Sequence, residues 1–211
     1  MAVIPQVLGF SPGDHGCGRT LTWLVQGAVD GGLAAIVLRE PHLSKPAYVE
    51  LARRLSPLFG RGLILHASHP DALDVAEASG WGLHLPSGSD IQAARTRVRG
   101  LLGVSCHSAE ALNEAAAGGA DYATLSPVFT PVSKPADRRT TLAVEGLVSA
   151  MDGVELPVFA LGGITAENAG PLADTDIHGI ASLGYLFPAD ADADVCATNA
   201  SALCMIMKRR S

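Results

Sequence analysis

The feature that most constrains this chain is the alternation of short apolar runs with helical runs from one end to the other. Short apolar runs bounded by turn residues are typical of parallel strands that are covered on their outer face by helices. The predicted strands span residues 3–10, 34–39, 62–66, 82–85, 101–104, 122–126, 157–161 and 177–182. Strands that alternate with helices in this way indicate an α/β fold with a parallel sheet.

Apolar residues at helical spacing fill the stretches between the strands. The clearest helical runs are 44–59, with Ser44 as N-cap, 69–79, 107–119, 141–153 and 191–209. Eight strand–helix units predict a (β/α)8 barrel, and a doubly wound open sheet is the alternative. No linker, low-complexity segment or shift in composition divides the chain, so we expect a single domain over residues 1–211.

Charge and composition exclude several classes of protein. A formal net charge of −6 argues against nucleic acid as the main partner. No apolar run approaches the roughly 20 residues that cross a bilayer, and no basic residue precedes the apolar amino terminus as in a secretory leader. None of the 4 cysteines is in CxxC spacing. We therefore expect a reduced, cytoplasmic protein without a membrane partner.

In a barrel, function lies in the loops that follow the strands, and the first of these reads GDHGCGRT from Gly13 to Thr20. It differs by one letter from the phosphate-binding loop GxxxxGK[ST], which makes a nucleotide binder one hypothesis. Arg19 replaces the lysine, and its planar fork is not equivalent to a compact ammonium. A glycine-rich turn that leads into a helix is the simpler interpretation.

Three later loops carry residues suited to a phosphorylated ligand. Arg39 and Glu40 after the second strand form either an ion pair at the barrel rim or part of a phosphate clamp. The long loop after the sixth strand offers hydroxyls and cations, Ser133 and Lys134 among them, which suit a lid over a phosphate. Gly162 and Gly163 precede a helix, so their N–H groups and the helix dipole can bind phosphate.

The segment SLGY from Ser182 to Tyr185, after the eighth strand, can supply a second set of N–H groups. Barrels often bind phosphate between the loops after strands seven and eight. The sequence therefore predicts a phosphate site at Gly162, Gly163, Gly184 and Tyr185.

Several motifs together resemble the thiamine phosphate synthase family, which includes the TenI-like thiazole tautomerases. The resemblance covers about residues 34–187 and rests on GVSCHSAEAL, ADYATLSPVFTPVSKP, LPVFALGGITAEN and GIASLGYLF, with AAIVLRE and GLHLPSGS further upstream. It implies a (β/α)8 barrel of thiamine biosynthesis. Synthases of this family join a pyrimidine pyrophosphate to a thiazole phosphate with Mg²⁺, releasing pyrophosphate.

The resemblance also implies roles for individual residues. Gly162, Gly163 and the backbone of Gly184 and Tyr185 would hold the thiazole phosphate. Arg39, Ser105 and Lys134 would contact the pyrophosphate side, with Ser133 beside Lys134 in the lid.

The chain departs from the synthases at the metal site. His66 and Ala67 stand at the positions of an Asn-Asp pair, and Ser89 stands at the position of an aspartate. Val37 and Pro41 likewise replace a glutamine and a lysine that flank the second-strand arginine. Because both metal-binding carboxylates are missing, we expect no cofactor, and Mg²⁺ only if Asp90 or Glu40 rebuilds the site. Asp90 is better placed to cap the helix that starts at Ile91.

The chain also departs from the tautomerases, in which a histidine after the sixth strand transfers the proton. Pro127 occupies that position here and cannot do so. His66 and His107 are the candidate substitutes, since imidazole titrates near neutral pH, and His84 is a third. For His84 and His107, a bond to strand-end backbone is the simpler interpretation.

Four hypotheses follow from these residues. The leading one is a metal-independent thiazole-phosphate tautomerase with a relocated acid/base. The second is a divergent thiamine phosphate synthase. The third is a non-catalytic sensor of thiamine intermediates, whose protein partner the sequence does not identify, and the fourth is the nucleotide binder. The expected ligand in the first three is a small phosphorylated heterocycle, thiazole phosphate or thiamine phosphate.

Overall fold

A computed structural model describes residues 4–13, 21–130 and 140–209 of the chain. Eight parallel strands form a closed barrel in which each strand pairs with the next and the last pairs with the first. The strands are β1 (Val7–Phe10), β2 (Ile36–Leu38), β3 (Leu63–His66), β4 (Gly82–Leu85), β5 (Leu102–Cys106), β6 (Tyr122–Leu125), β7 (Val158–Leu161) and β8 (Gly179–Ser182). Closure confirms the predicted (β/α)8 barrel and excludes the open sheet.

Helices cover the outside of the barrel. They are α1 (Leu21–Asp30), α2 (Lys45–Phe59), α3 (Ala72–Ser79), α4 (Ile91–Arg97), α5 (Ala109–Ala117), α6 (Ala143–Met151), α7 (Gly170–Ala173) and α8 (Ala193–Lys208). A short 3₁₀ helix, Gly60–Gly62, leads into β3. Among the helices of the described ranges, none has the length and apolar character needed to cross a bilayer.

Strand residues point alternately into and out of the barrel. Inward-facing side chains form a small apolar cluster of Leu8, Phe10, Ala35, Val37, Ile64, Tyr122, Phe159 and Ala181. Outward-facing residues pack against the helices in a second, larger cluster. Burial on both faces explains why the strands read as continuous apolar runs rather than as alternating ones.

The strands lie where the sequence predicted them, with shifts at their ends. The first predicted strand, 3–10, is shorter in the structure, since β1 begins at Val7. Helix α2 begins directly after Ser44, but the Ser44 side chain makes no capping hydrogen bond. Pro46 in the first turn has no N–H to satisfy, which reduces the need for a cap.

Candidate functional site

The C-terminal end of the barrel collects the residues that the sequence singled out. Arg39 follows β2, His66 ends β3, Ser105 lies in β5, and Gly162, Gly163, Gly184 and Tyr185 follow the last two strands. Ser133 and Lys134 lie outside the described residues, as does the stretch from Asp14 to Thr20 that includes Arg19. The proposed lid and the nucleotide-binding loop therefore stay predictions.

Gly162 and Gly163 form a tight turn after β7 in which both residues have positive φ, 106° and 62°. The turn packs directly against the loop after β6, because Phe129 N–H donates to the Gly162 carbonyl at 3.0 Å. Among the hydrogen bonds of the described residues, the two glycines act through their carbonyls and not through their amides. Successive N–H groups in a turn of this kind can bind an anion.

Asn168 closes this turn, a role that the sequence pattern did not single out. Its side-chain amide donates to the Gly163 carbonyl at 2.8 Å, and its Oδ1 accepts from Thr165 N–H at 2.9 Å. The two glycines precede a helix as expected, but several residues lie between them and α7, which starts at Gly170. The helix dipole does not contribute here, and the anion would be held by a loop that one asparagine side chain bridges.

The segment after β8 contacts this loop. Ser182 Oγ lies 3.5 Å from the Ile164 carbonyl, and the Tyr185 carbonyl accepts from the Asn199 side chain of α8 at 2.6 Å. Burial and then the nearby Glu167 carboxylate raise the pKa of the Tyr185 phenol, so the ring stays neutral beside the turn. Gly184 is partly exposed next to Tyr185.

The residues after β2 connect to the first loop. Arg39 N–H donates to Ser11 Oγ at 2.7 Å, and a Cβ added at Gly13 would lie 2.6 Å from the Arg39 guanidinium. Glu40 is fully buried and accepts from Gly13 N–H at 3.2 Å. Glu40 therefore anchors the start of the first loop, and Arg39 lies against that loop.

His66 is nearly buried at the end of β3, with 7% of its surface exposed. Its Nδ1 accepts from Ser68 N–H at 3.0 Å, so the proton of the neutral ring is on Nε2. Burial, followed by the charge of Arg39, lowers the pKa of His66 to about 4. At neutral pH His66 is an uncharged hydrogen-bond donor rather than a base.

His84 is fully buried. The simpler interpretation for this residue was a bond to strand-end backbone, but its ring contacts side chains instead. Its two ring nitrogens contact side chains of β6 and β5: Nδ1 lies 2.9 Å from Tyr122 Oη, and Nε2 lies 3.0 Å from Ser105 Oγ. The His66 ring stacks on it with a centroid distance of 5.4 Å. Ser105, predicted from the resemblance, is thereby joined to two buried residues.

His107 lies just beyond β5 with an exposed side chain. Its Nδ1 is 2.7 Å from the Ser126 carbonyl oxygen, so the backbone bond expected for this residue is present. A carbonyl can only accept, which places a proton on Nδ1, so that in the neutral ring the lone pair is on Nε2. Ser126 precedes Pro127, so the imidazole lies beside the position where the family tautomerases carry their histidine.

The described residues do not fit a Mg²⁺ ion. Ala67 and Ser89 occupy the positions of the synthase carboxylates, and Ser89 Oγ donates to the Pro86 carbonyl at 2.7 Å. Glu40 is buried against the first loop, and the Asp90 carboxylate caps the N-terminus of α4. Within residues 4–13, 21–130 and 140–209, no group of three or more His, Cys, Asp or Glu side chains is placed to hold a metal.

Asp90 is the N-cap of α4, and its Oδ1 accepts from Ala93 N–H at 2.8 Å. We expect Asp90→Ala to lower the free energy of unfolding by about 1 kcal/mol, because one N–H of the first turn loses its acceptor. Asp90→Asn, which keeps the acceptor, serves as the control, and urea unfolding measures both. A Mg²⁺-dependent stabilisation of the unmodified protein that Asp90→Ala abolishes would contradict the capping role.

A cleft at the opposite, N-terminal end of the barrel has a structural explanation. It is lined by Arg95 and Asp121 among others, and these two side chains pair at 2.8 Å. Arg95 also donates to the Gly100 carbonyl at 3.0 Å, and Asp121 accepts from Leu102 N–H at 2.7 Å. These bonds hold the turn before β5, so the C-terminal face is the better candidate site.

The fold and the site together define a class of proteins. These are (β/α)8 barrels with a glycine turn after β7, a second turn after β8, and histidines near the C-terminal ends of β3, β4 and β5. The family model described as thiamine monophosphate synthase matches residues 10–186. The chain belongs to this thiamine phosphate synthase family, a family of thiamine biosynthesis.

Individual relatives agree with this assignment. A putative thiamine-phosphate synthase of Geobacter sulfurreducens is 35% identical over 182 residues, covering 83% of each chain. The thiamine-phosphate synthase of Chloroflexus aurantiacus is 31% identical over 198 residues, covering 92% of this chain and 90% of the relative. A thiamine phosphate pyrophosphorylase structure from Pyrococcus furiosus matches the fold with a TM-score of 0.79 at 24% identity, covering 97% of this chain and 96% of that one.

Proposed function

We propose that this protein binds a thiazole-type phosphate in the turns after β7 and β8 and isomerises the heterocycle by proton transfer without Mg²⁺. The observation that carries the proposal is the bond between His107 Nδ1 and the Ser126 carbonyl at 2.7 Å. It holds an exposed imidazole beside the peptide bond that joins Ser126 to Pro127. We infer that this imidazole takes the role of the histidine that the sequence lacks at Pro127.

The phosphate would be held by the amides of Gly162 and Gly163, with Gly184 and Tyr185 on the other side. Both β7 glycines have positive φ, and successive N–H groups in such a turn would bind the phosphate together. The Asn168 bridge keeps this turn formed before a ligand arrives. Preorganised N–H groups lose little conformational freedom on binding, which favours affinity.

Proton transfer would use His107 as the base. Its Nε2 would take a proton from the sp3 ring carbon of a non-aromatic thiazole tautomer and return it to a carbon attached to the ring, so that the ring becomes aromatic and no proton is consumed. His66, neutral near pH 7 because its pKa is about 4, would donate a hydrogen bond from Nε2 to the developing anion. No step requires a metal, in keeping with the poor fit of the described residues to Mg²⁺.

A second candidate is a divergent synthase, which the printed names of the relatives favour. It would bind a pyrimidine pyrophosphate on the side of Arg39, Ser105, Ser133 and Lys134 and would need Mg²⁺ held by residues other than Ala67 and Ser89. The cytoplasmic location, the single-domain extent and a protein partner of the sensor hypothesis also stay predictions.

Two assays on the same protein preparation separate these candidates. Isomerisation of thiazole phosphate is followed by NMR in the presence of EDTA, and thiamine phosphate formation by mass spectrometry across a Mg²⁺ titration. We expect isomerisation in EDTA, with a loss of about 100-fold in His107→Ala at unchanged ligand affinity, because a general base contributes on that order.

Mg²⁺-dependent formation of thiamine phosphate without isomerisation would overturn the proposal in favour of the synthase. Binding of thiazole phosphate without either product would overturn it in favour of the sensor. His107→Gln provides a matched variant, since its amide can still contact the Ser126 carbonyl but cannot act as a base at neutral pH.

A further inference from the structure

Three polar side chains form a continuous chain of hydrogen bonds across the inside of the barrel. Tyr122 on β6 contacts His84 on β4 at 2.9 Å, and His84 contacts Ser105 on β5 at 3.0 Å. Tyr122 and His84 are completely buried, whereas Ser105 is partly exposed at the C-terminal face. The chain therefore leads from the closed interior to the candidate site.

Which group donates in each of these bonds can be inferred from the completely buried Tyr122. Among the described residues, His84 is the only hydrogen-bond partner of the Tyr122 hydroxyl. A buried hydroxyl proton without an acceptor is costly, so Tyr122 donates to Nδ1 of His84. Burial lowers the pKa of His84 well below its usual range, so the ring is neutral and carries one proton. That proton is consequently on Nε2 and is donated to Ser105 Oγ.

We propose that Tyr122 and His84 are positioning residues that force the Ser105 hydroxyl to act as a hydrogen-bond donor toward an anionic oxygen of the ligand. Since Ser105 Oγ already accepts from Nε2, its own proton is left to point into the site. If His84 instead offered a lone pair to the Ser105 hydroxyl, it would act as a base and would make Ser105 a nucleophile. The ligand half of this inference rests on the second candidate under the proposed function, in which Ser105 lies on the pyrophosphate side, and the tautomer of His84 does not.

Gly103 gives independent support, because it makes room for the Tyr122 ring. A Cβ added at Gly103 would lie 2.1 Å from Cζ and 2.4 Å from the hydroxyl oxygen of Tyr122. Phe10 packs its ring edge-on against His84 at 5.2 Å and closes the other side. Tyr122 is thus held with its hydroxyl toward His84, and the ring has little freedom to turn away.

The direct test is the tautomer of His84, read from ¹⁵N chemical shifts of the histidine-labelled full chain. We expect a neutral Nε2–H ring for His84 that persists from pH 5 to 9, with assignment by comparison with His84→Gln. A neutral Nδ1–H ring would overturn the inference, since Ser105 would then donate to His84 instead of to the ligand. This measurement uses the unmodified protein and needs no ligand.

The second test is a double-mutant cycle with inorganic pyrophosphate as the probe, measured by calorimetric titration. We expect about a tenfold loss of affinity for Ser105→Ala, because a hydrogen bond to a charged group is lost, and about a fivefold loss for Tyr122→Phe. The double variant should match Ser105→Ala, because Tyr122 acts only through Ser105. Additive losses would overturn the positioning role.

Two further variants control for a purely structural effect. Ser105→Thr keeps the hydroxyl and should retain most of the affinity. Thr124→Val removes a buried hydroxyl directly opposite Ser105 in the sheet and should leave pyrophosphate affinity unchanged. If the unmodified protein shows the Nε2–H ring but binds no pyrophosphate, the ligand half of this inference is wrong and the tautomer stands. The phosphate site of the proposed function is tested separately, by the effect of Gly163→Ala on the affinity for inorganic phosphate.

Discussion

Gly27→Ala is expected to lower the free energy of unfolding by about 3 kcal/mol, near the upper end of what overpacking costs. A Cβ at this position would lie 2.1 Å from the carbonyl oxygen and 2.7 Å from the Cα of Ala193. These are backbone atoms of α8, which a side-chain rotation cannot move aside. Helices α1 and α8 would therefore have to separate at the seam where the first and last units of the barrel meet.

Gly146→Ala is the matched control, since it is also a glycine-to-alanine change inside a helix. The nearest atom to its added Cβ is Cβ of Leu142 at 3.4 Å, an ordinary contact. Alanine is a better helix former than glycine, so we expect Gly146→Ala to raise stability by about 0.5–1 kcal/mol. Urea unfolding measures both variants. Equal effects of the two changes would contradict the close approach of α1 to α8.

Gly163→Ala is expected to reduce the affinity for phosphate by more than tenfold, about 1.4 kcal/mol or more. Its φ of 62° is a conformation that residues with a Cβ adopt at a cost. The added Cβ would also lie 2.3 Å from the carbonyl oxygen of Thr130, so the turn after β7 must move away from the loop after β6. The N–H groups that we assign to the phosphate would then be displaced. Calorimetric titration with inorganic phosphate measures the loss.

Gly153→Ala separates backbone strain from the loss of the site. Gly153 has a similar φ of 72°, but nothing lies within 4 Å of its added Cβ, and it follows α6 on the side away from the candidate site. We expect a loss of about 1 kcal/mol in stability and no change in phosphate affinity. Retention of full phosphate affinity by Gly163→Ala would remove this turn from the proposed binding site.

Most of the fold was predictable because each strand and helix is indicated by residues that are close together in the sequence. Each strand is a short apolar run that can be located without knowing its neighbours, although several of the predicted ends are shifted. The capping role of Asp90 was predictable for the same reason, since the side chain bonds to Ala93 only three residues away. The absence of carboxylates at Ala67 and Ser89 could likewise be predicted from the sequences of two loops and their resemblance to the family.

The start of α7 was less predictable, because local structure intervenes between the β7 glycines and the helix. The stretch after Gly163 contains residues that suit a helix start, yet Asn168 bonds back to the Gly163 carbonyl and to Thr165 N–H. Ala169 N–H also donates to the Thr165 carbonyl at 3.0 Å, so this segment forms one helix-like turn before the regular helix begins at Gly170.

The sequence by itself determined the barrel and located the turns at the ends of its last two strands, and the loss of the synthase carboxylates stays a prediction. Only the tertiary structure decided what the histidines do. His84 meets Tyr122 across 38 residues and Ser105 across 21, and His107 meets Ser126 across 19. These contacts depend on which strands are neighbours and on the register between them, and barrel closure sets both through hydrogen bonds between residues far apart in the chain.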